Sequence, residues 1–134
     1  MKKRIFSLVL AVLMLFSFNM GARAESMVQP RYSYTNSVDA SISFRSGQLT
    51  CSGNIVGKKG TTTRIQYQLI LQKKGVLKWN TVTTWSDSVS SYETTDTKHY
   101  GPVDSGKYRV KVEATVYAGS SSETVFATSS TVTV

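Results

Sequence analysis

The stretch DSGKYRVKVEATV, Asp104–Val116, decides how the rest of the chain is read. Tyr108, Val110, Val112, Ala114 and Val116 fall on every second position, and Lys107, Arg109, Lys111 and Glu113 take the positions between them. A period of two is the mark of a strand with one face on a core and one face in water. Asp104 and Gly106 punctuate the chain before it as turn residues do. Downstream, Gly119–Ser122 reads as a hairpin turn. Thr124–Val134 reads as the returning last strand, with a bulge at Ser129-Ser130.

The same alternation extends upstream. Val38, Ala40, Ile42 and Phe44 share one face of a first strand, which Ser46-Gly47 turns. Leu49, Cys51, Gly53 and Ile55 share a face of a second, closed by the Gly57–Gly60 turn. Ile65, Tyr67, Leu69 and Leu71 line one face of a third. Gln66, Gln68 and Gln72 line the other face, with Ile70 an apolar exception. After Lys73-Lys74-Gly75, a fourth strand takes Leu77, Trp79 and Val82–Trp85, with Asn80 marking a bulge. Ser86–His99 is polar and carries little pattern; its strand centres on Ser91–Thr97. About seven strands with turns every ten residues or so make an all-β, antiparallel sandwich or barrel. Phe44, Tyr67 and Tyr108 are expected in its core.

Before the first strand the chain changes character. Lys2, Lys3 and Arg4 precede an apolar run, Ile5–Phe18, and Ala22-Arg23-Ala24 follows. That order is expected of a secretory leader over residues 1–24, cleaved after Ala24. The apolar run is shorter than the ~20 residues a spanning helix needs, so no stable membrane insertion is expected. Residues 25–36 are then an N-terminal arm and residues 37–134 one domain. The ending TVTV carries no apolar or basic tail of the kind that sorts a chain to a cell wall. The sixteen Lys and Arg include Lys2, Lys3, Arg4 and Arg23. The other twelve stand against eight Asp and Glu, a net charge of +4 after cleavage. Spread along the sequence, this mild charge suits solubility, with weak attraction to anionic polymers or lipid as the alternative.

Two short motifs suggest a family. LTCSG, Leu49–Gly53, and DSGKYRV, Asp104–Val110, resemble the two disulfide-bearing strands of immunoglobulin-like domains. The chain has one cysteine, Cys51, and the second position is Val110. The resemblance implies a sandwich in which Cys51 and Val110 face each other between the sheets. It also implies a tyrosine corner, with the Tyr108 hydroxyl returning to backbone just upstream. The third strand offers Tyr67 or Leu69 where antibody domains carry tryptophan. The chain is therefore similar to bacterial immunoglobulin-like or fibronectin-like domains, among them small secreted single-domain proteins of Gram-positive bacteria. That similarity implies a fold and no activity. Half a disulfide is read as a buried free thiol. A disulfide between chains and a reactive thiol stay open.

No catalytic constellation is visible. His99 is the single histidine and sits in a region read as polar loop, while Cys51 points into the core. A zinc set needs three or four ligands, and the acids Asp87, Glu93, Asp96 and Asp104 form no dense calcium loop. No cofactor, metal or nucleic acid is expected, and the chain is read as not an enzyme. Lys58-Lys59 and Lys73-Lys74 fall at opposite ends of the third strand. The aromatics carry the functional expectation. Trp79, Trp85, Tyr92 and Tyr100 gather near an edge strand, where exposed rings stack on sugars or anchor a protein. The leading expectation is a secreted, non-enzymatic binding module for an extracellular glycan or protein. One alternative is a structural subunit that self-associates weakly through strand addition by Met27–Asn36, with Tyr32 and Tyr34. Another is a secreted antagonist, a toxin or an inhibitor.

Overall fold

The structure is a computed structural model and describes residues 32–134. The leader expected over 1–24 and the arm up to Arg31 lie outside the described residues. Eight strands follow: β1 (Thr35–Arg45), β2 (Gln48–Gly57), β3 (Arg64–Lys74), β4 (Trp79–Val89), β5 (Glu93–Tyr100), β6 (Lys107–Ala118), β7 (Ser121–Thr128) and β8 (Val132–Thr133). They form two antiparallel sheets, one ordered β1-β2-β5, the other β4-β3-β6-β7 with β8 also paired to β6. The chain is an all-β sandwich, as its alternation predicts.

Registers place the connections. At one end lie the β1–β2 turn, the β3–β4 hairpin and the β5–β6 loop, for Gly101 packs on Gly47 and Gly106 on Lys73. At the opposite end Gly57 N donates to Tyr92 O, and Thr63 N to Tyr117 O. The first turn uses φ of +53° at Ser46 and +79° at Gly47. Two positive values in succession match the twist of a tight hairpin, and glycine supplies the second without strain.

Leu49, Cys51 and Ile55 of β2 meet Ile65, Tyr67, Leu69 and Leu71 of β3 and the inward row of β6. At Gly53 the larger sheet packs too close to β2 for a side chain. A Cβ there would stand 2.6 Å from Leu69 Cδ2 and 2.9 Å from Val112 Cγ2. β2 and β6 run from the same end, so one inward step back from Gly53 and Val112 brings Cys51 opposite Val110. Both are fully buried. The Tyr108 hydroxyl donates to the Asp104 carbonyl at 2.8 Å. That bond ties the β5–β6 loop to the start of β6.

Several local expectations need correction. The last strand is split, because Ser129 folds back onto Val110: its amide donates to Val110 O, and its hydroxyl accepts from Val110 N. The irregularity opposite Leu71–Gln72 falls at Val82, not Asn80. Leu77 lies in the hairpin turn and is 97% exposed, not in a strand. Phe44 is 38% exposed, because β1 is an edge strand with β2 as its sole neighbour and Phe44 stands near its end. His99 belongs to β5, not a loop.

β1 begins at Thr35, and Tyr32, Ser33 and Tyr34 before it are held by the domain. The Glu123 carboxylate accepts from Ser33 N at 2.9 Å, from Tyr34 N, and from Thr35 Oγ1 at 3.2 Å. Thr62 Oγ1 donates to Tyr34 O at 2.6 Å. Tyr32 and Tyr34 pack against the core of their own chain.

Candidate functional site

The four aromatics singled out in the sequence divide into three places. Trp85 pairs with Leu69 on β3, faces inward, and meets Tyr100 edge-on at a centroid distance of 6.5 Å. Both rings are half-buried and pack on the core. They close the side of the sandwich where β4 and β5 approach. Trp79 pairs with Lys74, an outward position, and the Arg109 guanidinium lies 4.2 Å over its ring. Tyr92 sits in the β4–β5 turn at the opposite end, its carbonyl engaged by Gly57 N. Trp79 and Trp85 therefore lie on opposite faces of β4. The four do not form one aromatic edge.

The structural residues come together as the alternation requires. Cys51 is a free, fully buried thiol, and burial pushes its pKa up to about 11. A thiol held protonated and out of solvent is a small core hydrophobe, not a nucleophile. Lys98 of β5 stands opposite Cys51. His99 stands opposite Thr50 on the other face, with Nδ1 3.2 Å from Thr50 Oγ1. The cysteine and the histidine thus point to opposite sides of one sheet. Among the described residues no three His, Cys, Asp or Glu side chains come together as a metal set.

β5 hides a second polar feature. Asp96 faces inward and accepts from the Tyr67 hydroxyl at 2.9 Å; Lys98 Nζ lies 3.5 Å from its other oxygen. Burial, with the Asp96 hydrogen bond and charge, pushes the Tyr67 pKa up to about 12. This triad carries the inward face of a strand that has few apolar residues of its own.

The concave feature lies elsewhere, on the outer face of the larger sheet. A groove of about 410 Å³ runs over β3 between β4 and β6. Gln66 and Gln68 of β3 form its floor, Ser86 and Ser88 of β4 one wall, and Glu113 and Thr115 of β6 the other. The Tyr117 hydroxyl donates to Gln66 Oε1 at 3.3 Å, and the Arg64 guanidinium covers the Tyr117 ring at 4.1 Å. Phe126, 48% exposed, stands beside Glu113 on β7. The face thus offers amides, hydroxyls and one carboxylate in rows set by strand spacing, with aromatic rings at its margin. Such a surface can exchange hydrogen bonds with a ligand that carries many hydroxyls. Its signal in the sequence is the run of glutamines on the outward positions of β3.

No known protein family matches the chain, and no curated protein sequence does. Among solved structures it is similar to CsgH of R. palustris, with a TM-score of 0.43 and 15% identity, over 68% of this chain and 87% of that one. It is also similar to wild-type OgpA of Akkermansia muciniphila, with a TM-score of 0.44 and 16% identity, over 75% of this chain. It spans 30% of OgpA. Catalytically inactive OgpA, solved with an O-glycopeptide substrate, matches with a TM-score of 0.39 and 15% identity, over 75% of this chain and 30% of that one. These likenesses assign no activity to the chain.

Proposed function

We propose that the protein is a secreted, immunoglobulin-like binding module without enzymatic activity, and that it recognises a glycan across the outer face of its larger sheet. The groove over Gln66 and Gln68 carries this reading. It is polar, open, and of a size that takes a few sugar rings. Amide and carboxylate side chains at strand spacing present alternating donors and acceptors, which suit the repeating hydroxyls of a saccharide. The immunoglobulin-like assignment is supported by Cys51 opposite Val110 and by the Tyr108 hydroxyl on Asp104 O. The non-enzymatic assignment is supported by the sealed thiol of Cys51 and by His99 facing the opposite side of the same sheet.

The test is retention of Glu25–Val134 on insoluble cell-wall glycan and on a glycan array, at low and high salt. Retention at high salt, lost in Gln68→Ala/Glu113→Ala with the fold intact, supports the reading. Retention that salt abolishes, or that the double variant leaves unchanged, overturns it. Trp85→Ala is a poor probe, since that ring packs on the core and its loss destabilises the domain.

A further inference from the structure

The β3–β4 hairpin ends in a turn made of the wrong residues for water. Gly75 N donates to Lys78 O at 2.8 Å, which closes a four-residue turn with Val76 and Leu77 at its corners. Turn corners favour glycine, proline, asparagine and aspartate. Here Val76 is 100% exposed and Leu77 97%, so neither side chain touches the rest of the domain. An isolated exposed leucine needs no explanation, but two adjacent, fully exposed branched side chains at the apex of a hairpin are an apolar point held away from the core.

The charge around that point is mostly positive. Lys73, Lys74 and Lys78 flank the tip in sequence. Lys107 and Arg109 open β6 at the same end, and Arg45 closes β1 there beside the exposed Phe44. Among the described residues Asp104 is the one acidic side chain at this end. Asp39, Asp87, Glu93, Asp96, Glu113 and Glu123 register with positions nearer the middle or the opposite end of the sheets. Lys73, Lys74, Lys78, Lys107 and Arg109, dispersed in the sequence, thus share one end of the larger sheet with the apolar apex, while Lys58, Lys59 and Arg64 lie at the opposite end. Trp79, at the base of the hairpin, adds an amphipathic ring of the kind that settles at a membrane interface.

We infer that the Val76-Leu77 tip docks the domain onto an anionic lipid bilayer, end-on. The two apolar side chains enter the headgroup and acyl boundary, while the lysine and arginine collar pairs with lipid phosphates. Neither half holds the domain by itself. Charge alone gives salt-sensitive adsorption, and two small apolar groups alone bind weakly; together they supply the two signals that stable peripheral attachment needs. This surface is separate from the glycan groove, and the two proposals stand or fall independently.

The experiment is co-sedimentation of Glu25–Val134 with vesicles of phosphatidylcholine alone, or with one quarter phosphatidylglycerol. Residues 32–134 contain both sheets and the whole described core, so this chain folds without the leader. Binding to the phosphatidylglycerol vesicles and not to neutral ones is expected. Val76→Ser/Leu77→Ser should weaken it at least ~10-fold with an unchanged melting temperature, since neither side chain packs on anything. Lys74→Gln/Lys78→Gln should weaken it as well, and Gln68→Ala/Glu113→Ala should leave it intact. Three results would each overturn the inference: no binding to anionic vesicles, binding indifferent to Val76→Ser/Leu77→Ser, or equal affinity for soluble polyphosphate chains.

Discussion

Gly53→Ala tests how tightly Leu69 and Val112 pack over β2. Gly53 has no positive φ, so alanine meets no backbone penalty and even gains about 0.5–1 kcal/mol by restricting the unfolded chain. The cost is steric. The new Cβ would stand 2.6 Å from Leu69 Cδ2 and 2.9 Å from Val112 Cγ2, where ordinary contacts begin near 3.4 Å. Val112 is stiff at χ1 and cannot swing away. Leu69 can rotate, but it is fully buried and a rotation presses on its other neighbours. Overpacking of this kind costs about 1–3 kcal/mol, so a net loss of about 1–2 kcal/mol is expected. For a domain of this size that lowers the melting temperature by about 5–15 °C, read by circular dichroism. Leu69→Val removes the closer clash, so Gly53→Ala/Leu69→Val should be more stable than the sum of the two single changes implies. A melting temperature unchanged or raised in Gly53→Ala, or strict additivity in the double variant, would refute the reasoning.

Two further outcomes follow from the titrating core groups and from Glu123. Cys51 and Tyr67 have folded-state pKa values of about 11 and about 12, above their ordinary 9.0 and 10.0. Their contribution is complete below pH 9 and is lost as pH rises toward those folded values. About 1–2 kcal/mol should be gone by about pH 10, and Cys51→Ala/Tyr67→Phe should flatten the alkaline limb of a denaturation series. Glu123→Ala removes the acceptor for Ser33, Tyr34 and Thr35. Amide exchange at Ser33 and Tyr34 should then approach that of a frayed end, with a global loss of about 1–2 kcal/mol; unchanged protection at those amides would show that the carboxylate holds nothing.

The two-residue period made most of this fold legible, and its failures share a cause. Along β2, β3 and β6 the alternation alone assigns the inward face, with Lys73 the polar exception at the end of β3. β5 carries little pattern because its inward positions are Thr94, Asp96, Lys98 and Tyr100. It packs through one ring and a hydrogen-bonded carboxylate, which leave no hydrophobic period. Phe44 and Leu77 misled for the opposite reason. They keep an apolar period beyond the point where the sandwich can cover them, at a strand end and in a turn. A hydrophobic pattern reports which face a residue takes. It does not report whether an opposing sheet is there to receive it.

The surfaces were less legible than the core, since a surface is assembled from strands distant in sequence. Counting aromatics near an edge joined Trp79 to Trp85. The alternation of β4, broken by one residue at Val82, sends them to opposite faces. Charge spacing made the lysines look dispersed. Strand direction decides otherwise: the end of β3 and the start of β6 are far apart in sequence and paired in space, with Lys73 opposite Tyr108. β3 carries both proposed surfaces. Its outward glutamines floor the groove, and its last residues, Lys73 and Lys74, lead into the apolar turn. The groove lies along the flank of the sandwich and the turn at its tip, at right angles to each other. A domain held end-on to a bilayer by Val76 and Leu77 would therefore keep Gln66, Gln68 and Glu113 facing sideways into solvent. A ligand could reach them there without displacing the membrane.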